Sequence, residues 1–221
     1  MTVPRIERRT PLIGSIAAGL VLLTGFAVLG FVVSPAPAHG LDAGIGEALR
    51  DQWRGPAGTV ANIVSAVLGP VLPVLLAVVL AVAGTVLWRR GRSWHAGVVF
   101  RTLVLLVCCR AASFLGKPLF ARERPRPFPD FSFPSGHVVS VASTVAALVV
   151  LCLWLAPHLV ALTAWLGALA TVGCAASRIV LDVHWLTDTL GAVLAVGGIA
   201  LLSGAALRLV PVNRLGVASS A

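Results

Sequence analysis

The chain has 221 residues, of which 58% are hydrophobic and 11% charged, and it carries a net charge of +9. Soluble domains carry about 25% charged residues, and a soluble helical bundle needs polar faces at the helical period; both are excluded. The positive charge is not a nucleic-acid footprint either, because it sits in short clusters beside long apolar runs.

Arg5, Arg8 and Arg9 precede the first such run, 12–33, which is long enough to cross a bilayer as a helix. Basic residues, an apolar run and Ala36-Pro37-Ala38 also have the form of a cleaved leader. The run of 22 residues is longer than a leader core, so a retained span is expected. Residues 34–65 form a connection in which Leu41, Ile45, Leu49 and Trp53 recur every fourth position, with Asp42, Glu47, Arg50 and Asp51 between them. That spacing predicts a short amphipathic helix lying in the interface.

The second run is 66–88, where Gly69-Pro70 and Pro73 are expected to bend the helix. Arg89, Arg90 and Arg92 follow it, and the third run, 96–116, contains Arg110. Residues 117–135 hold Pro118, Pro125, Pro127, Pro129 and Pro134, which predicts a loop at the membrane surface. The fourth run, 136–156, opens on Pro134-Ser135-Gly136-His137; only Pro157-His158 separates it from the fifth, 159–177, so these two are antiparallel neighbours. Ser177-Arg178, Asp182 and His184 lead to the sixth run, 185–209, which contains Asp188 and is flanked by Arg208 and Arg214.

The expected fold is all-α: a polytopic membrane protein with six transmembrane helices in one bundle, forming a single unit over 1–221. The basic clusters place the N-terminus, the connection after the second run and the C-terminus in the cytoplasm. Lys117, Arg124, His137, Arg178 and His184 then share the exterior side. Lys117, Arg122, Arg124, Arg126 and Arg178 enrich in positive charge a side that should be poor in it, and anion binding explains the excess. Cys108, Cys109, Cys152 and Cys174 lie in apolar runs with neither disulfide nor zinc spacing. His39, His95 and His158 have no motif around them.

Three patterns stand out at the span boundaries: Lys117-x6-Arg124-Pro125, Pro134-Ser135-Gly136-His137 and Ser177-Arg178-x5-His184-x3-Asp188. Together, in this order, they resemble the signature of the type-2 phosphatidic acid phosphatase family. The resemblance spans about 117–188, and the six-span layout extends it to most of the chain. It implies hydrolysis of phosphate monoesters or diphosphates without a metal ion or other cofactor, through a phosphohistidine. Vanadium haloperoxidases share the pocket but are larger soluble enzymes.

On this resemblance His184 is the nucleophile. Asp188, one helical turn on, orients its ring and stabilises positive charge on it. His137 is the general acid and then the base that activates water. Lys117, Arg124 and Arg178 bind the phosphoryl oxygens, helped by the Ser135-Gly136 helix start, where Ser135 suits an N-cap. Arg110, two turns before Lys117 on the same face, is a further candidate for a second phosphate or for a structural ion pair. Ser177 is a possible ligand contact, and Asp182 either tunes the histidine or faces water. Activity is expected to be bell-shaped in pH and to survive EDTA.

The expected substrate is a membrane lipid phosphate, its tail left in the bilayer. The favoured one is a polyprenyl (undecaprenyl- or decaprenyl-type) diphosphate on the outer face of a bacterial plasma membrane; the Ala, Gly, Val and Arg bias points to a bacterium. Phosphatidic acid and phosphatidylglycerol phosphate are the alternatives, followed by a lipid phosphotransferase and then a non-catalytic transporter or scaffold. The bilayer and its lipid are the expected partners, with no nucleic acid and no identifiable protein partner.

Overall fold

The computed structural model describes residues 10–35 and 37–210. Arg5, Arg8, Arg9, Ala36 and Arg214, on which the outermost basic clusters and the leader-like motif rest, lie outside the described residues. Eight helices follow in order: α1 (Thr10–Val33), α2 (Gly40–Ala48), α3 (Pro56–Val67), α4 (Val71–Arg89), α5 (Ser93–Phe120), α6 (Gly136–Leu155), α7 (Val160–Val180) and α8 (Leu186–Ala206). Six stretches are long and apolar enough to cross a membrane, and the fold is all-α as expected. Helices are required there because hydrocarbon offers no partner to a backbone amide, so each must be satisfied within its own segment.

The centre is built by α5, α6 and α8, whose Leu105, Cys109, Val138, Val141, Ala192 and Ala195 are buried together. Around this core α1 packs along α8, α4 along α5, and α7 along α6. Large apolar residues such as Val78, Phe114 and Leu166 point outward, which in a bilayer places them against lipid tails. The polar groups collect at one end, where α5 and α7 finish and α6 and α8 begin.

Three expectations need correction. The second run is not one bent span: α3 stops at Val67, α4 starts at Val71, and Leu68-Gly69-Pro70 lies between them. Proline and glycine interrupt the helix outright because Pro70 removes a donor and Gly69 sits where there is little room for a side chain. A Cβ there would lie 2.9 Å from the Ser65 carbonyl and 3.4 Å from the His137 ring.

The loop expected from 117 starts later. α5 continues through Pro118 to Phe120 and ends where Ala121 turns left-handed (φ 46°). A proline in a last turn forfeits one hydrogen bond, and burial of Phe120 against Phe26 and Phe133 compensates. Finally, α2 ends before Trp53, which sits in a separate 3-10 turn (Gln52–Arg54). The residue α2 buries is not one of the apolar stripe but Asp42, at 5% exposure, while Leu41 is 73% exposed.

The loop between α5 and α6 is anchored by shape. Phe133 is fully buried, stacked on Phe26 at 5.4 Å and edge-on to Phe120 at 5.0 Å. Two glycines make room for Phe133 and Pro134: a Cβ on Gly191 of α8 would meet the Phe133 ring at 2.4 Å, and one on Gly116 of α5 would meet Pro134 at 2.6 Å. The Ser135 amide then donates to the Asp188 carbonyl at 3.1 Å. These contacts fix the start of α6 beside the start of α8.

Candidate active site

A cavity of about 560 Å³ opens at this end of the bundle. Its walls carry Arg110, Ser113 and Lys117 from α5, Arg124 and Asp130 from the following loop, Gly136 and His137 from the start of α6, Arg178 from the end of α7, and His184. Residues from all three sequence patterns therefore converge on one volume. Apolar walls come from Pro70, Phe114, Pro118, Phe128 and Phe131.

His184 is buried, and its Nδ1 lies 3.2 Å from Asp188 Oδ2. The carboxylate accepts, so Nδ1 carries the proton and Nε2 presents its lone pair as an acceptor, which Arg124 Nη1 uses. Arg124 Nη1 lies 3.2 Å from Nε2 and donates to the Val183 carbonyl at 2.7 Å. Burial pushes the pKa of His184 down to about 4; the bond and charge of Asp188 oppose that shift but do not cancel it. The imidazole is thus neutral at pH 7.

Behind the histidine lies a second layer of charge. Asp188 is completely buried, and Arg122 Nη1 donates to its Oδ1 at 2.6 Å. Arg122 Nη2 donates to Asp42 Oδ2 at 2.7 Å. Asp42 Oδ1 in turn accepts from the Thr187 amide at 3.0 Å, capping α8. Asp188 Oδ2 also accepts from the Trp185 amide at 2.9 Å. A relay therefore runs from α2 through Asp42, Arg122 and Asp188 to His184.

The cavity-facing cations are held differently. Lys117 pairs with Asp130 and donates to the Phe131 carbonyl at 2.9 Å. Arg124 Nη2 lies 3.6 Å from Asp130 Oδ2. Burial works against the Asp130 carboxylate, but Lys117 and Arg124 together hold its pKa below the ordinary value. Arg178 donates to Ser65 Oγ of α3 at 2.6 Å, and its Nε is buried without a hydrogen-bond partner. Arg110 Nη1 donates to Ser140 Oγ at 2.9 Å and to the Gly136 carbonyl at 3.3 Å.

Some expected roles do not match the geometry. Ser135 occupies the N-cap position of α6 but makes no side-chain cap bond, and its buried hydroxyl has no partner. Ser177 spends its hydroxyl on the Cys174 carbonyl at 2.7 Å within its own helix, because a hydroxyl in a helix can bond back one turn. Asp182 turns left-handed (φ 54°) after α7 and lines a separate surface depression over α2, not the cavity around His184. Burial raises the Asp182 pKa. The sequence counts Arg122 among the cations available to an anion, whereas Asp42 and Asp188 already occupy it; Asp42, Asp130 and Ser65 have no expected part in the site. The one signal for Asp42 and Asp130 is that they are charges in a chain that carries few. Among the described residues, no group of three His, Cys, Asp or Glu is placed to hold a metal ion.

Comparison with known proteins decides the family. The sequence pattern of the PAP2 superfamily matches residues 97–209. The chain belongs to the PAP2 superfamily. The resemblance to the type-2 phosphatidic acid phosphatases is thereby confirmed, and with it the enzyme class, a lipid phosphate phosphatase. The fold is similar to that of a transmembrane PAP2-type phosphatidylglycerolphosphate phosphatase from Bacillus subtilis. The two share 20% sequence identity and a TM-score of 0.67, over 84% of this chain and 93% of that one. A search of curated proteins gives no match.

Proposed function

We propose that this PAP2 protein hydrolyses a membrane lipid phosphate through a phosphohistidine on His184. The observation that carries the reading is the His184–Asp188 pair, with Nδ1 held at 3.2 Å from the carboxylate and Nε2 left beside Arg124. Nε2 attacks phosphorus as the P–O bond to the leaving group breaks. His137, on the same cavity wall, gives its proton to the departing oxygen. Asp188 stabilises the positive charge that appears on the ring. His137 then takes a proton from water, which attacks the phosphohistidine and releases inorganic phosphate and neutral His184. Lys117, Arg124 and Arg178, all three on the cavity wall, neutralise the phosphoryl oxygens.

The substrate side follows from the surroundings. Phe114 and Phe128 border the cavity and are 72% and 50% exposed, so a head group can enter while its tail stays in lipid. Arg89 ends α4, and Arg90 and Arg92 lie between α4 and α5; this basic cluster stands at the bundle end opposite the cavity, which supports an exterior site in a plasma membrane. A polyprenyl diphosphate is the favoured substrate. The fold shared with a phosphatidylglycerolphosphate phosphatase favours that lipid as the second reading.

The test is phosphate release by purified protein in detergent. Wild type is expected to liberate inorganic phosphate from one of these lipids in the presence of EDTA, whereas His184→Ala releases none. A quench should trap an acid-labile, base-stable phosphoenzyme. Transfer of the group to a lipid or sugar acceptor without free phosphate would make the protein a transferase instead.

A further inference from the structure

Arg110 belongs to none of the three sequence patterns, yet it lines the cavity together with Ser113 and Lys117. The three stand at positions i, i+3 and i+7 of α5 and so form one polar stripe. At a rise of about 1.5 Å per residue, Arg110 sits about 10 Å closer to the bilayer centre than Lys117. Its guanidinium is fixed within the first turn of α6, by Ser140 Oγ at 2.9 Å and the Gly136 carbonyl at 3.3 Å. It shares the cavity wall with His137. Both partners are neutral, and among the described residues Arg110 forms no ion pair.

A cation inside a span is costly and calls for a reason. Lys117, Arg124 and Arg178 are the cations assigned above to the phosphoryl group beside His184. What lies farther into the membrane is the part of the substrate between that group and the tail. We infer that Arg110 is a subsite for a second phosphoryl group, placed on the tail side of the one that is cleaved. This rests on the phosphatase reading above and narrows it. The favoured substrates are those whose scissile phosphate is joined to the tail through another phosphate, by an anhydride or across a glycerol. A plain monophosphate would set hydrocarbon against the guanidinium. Phe114, whose ring lies 5.6 Å from the Arg110 carbon, would then meet the start of the tail.

The experiment compares matched pairs in detergent: farnesyl diphosphate with farnesyl monophosphate, and phosphatidylglycerol phosphate with phosphatidic acid of the same acyl chains. For Arg110→Gln the kcat/KM ratio, bisphosphorylated over monophosphorylated, is expected to fall about ten- to a hundredfold in at least one pair. Arg110→Lys should fall less, since it keeps the charge and loses the fork. Ser140→Ala, which releases the guanidinium, should lower the same ratio a few-fold. The pair affected tells whether the second group is an anhydride or a phosphodiester. A ratio unchanged within twofold for both pairs in all three variants overturns the subsite and leaves the phosphatase reading intact. Failure of wild type to release phosphate from any of the four lipids would overturn that reading itself. If Arg110→Gln does not yield a monodisperse protein, the Lys and Ser140 variants decide by the same ratios.

Discussion

Arg122 and Arg178 are both buried arginines near His184, and they are held in opposite ways. Arg122 sits between two buried carboxylates, Asp42 and Asp188, each within 2.7 Å. Arg178 meets a serine hydroxyl and keeps one buried N–H unpartnered. The first arrangement is closed: two carboxylates already occupy the guanidinium, and it can take no further anion. The second is open to an incoming anion. Position in the sequence does not separate these roles, since Arg122 stands two residues before Arg124, in the same loop. What separates them is whether a carboxylate is already in place.

The comparison can be broken by substitution. Arg178→Ala is expected to lower kcat/KM by about a thousandfold or more while changing stability little, because no carboxylate is left unpaired. Steady-state phosphate release and a melting curve in detergent read the two quantities separately. Arg122→Leu should do the reverse in emphasis. It strands two buried carboxylates, at a cost of about 3–5 kcal/mol, and the melting temperature should drop by several degrees. If Arg178→Ala proves the more destabilising of the two, the division between closed and open charge fails.

Acidity sharpens the same contrast. His184 titrates at about 4 when folded, against an ordinary 6.5. The unfolded chain therefore binds the proton first as pH falls. The stability linked to this group is complete above pH 6.5 and is lost as pH drops toward 4, by about 3 kcal/mol in all. Melting temperatures measured from pH 7 to pH 4 should fall over that window, and the fall should shrink in a His184→Ala protein. The acid limb of kcat/KM should likewise lie well below pH 6.

The smallest effect concerns Asp130, which is half-exposed and pairs with Lys117 at the cavity. On the proposed mechanism it competes with substrate for that cation. Asp130→Asn should tighten inhibition by inorganic phosphate a few-fold and leave stability within about 0.5 kcal/mol. Weaker inhibition would mean that Asp130 positions Lys117 more than it masks it.

Much of this was legible from residue order. Six apolar runs gave the spans because lipid enforces helix on any segment without water. The residues around His184 could be grouped because alternating spans return every second boundary to the same side. Asp42 was not legible. Its partner Arg122 is 80 positions away, and no periodicity marks a pair of charges that meet only after six spans have packed. In the local pattern Asp42 looked like the wet side of an amphipathic helix. Pro118 misled for a related reason: a proline stops a helix unless tertiary burial outweighs one lost bond, as the aromatic cluster around Phe120 does. Ser135 has a capping residue's identity and position but not its hydrogen bond, and only coordinates distinguish the two.

The gap at Leu68-Gly69-Pro70 has a mechanical consequence. An unbroken helix over Pro56–Arg89, 34 residues, would measure about 51 Å, far more than the roughly 30 Å of hydrocarbon. Divided, α4 alone matches that thickness, while α3 packs on α7 with Ser65 against Arg178. The break therefore lets α4 meet the bilayer with its own length, and it leaves α3 at the angle that keeps Ser65 on the guanidinium.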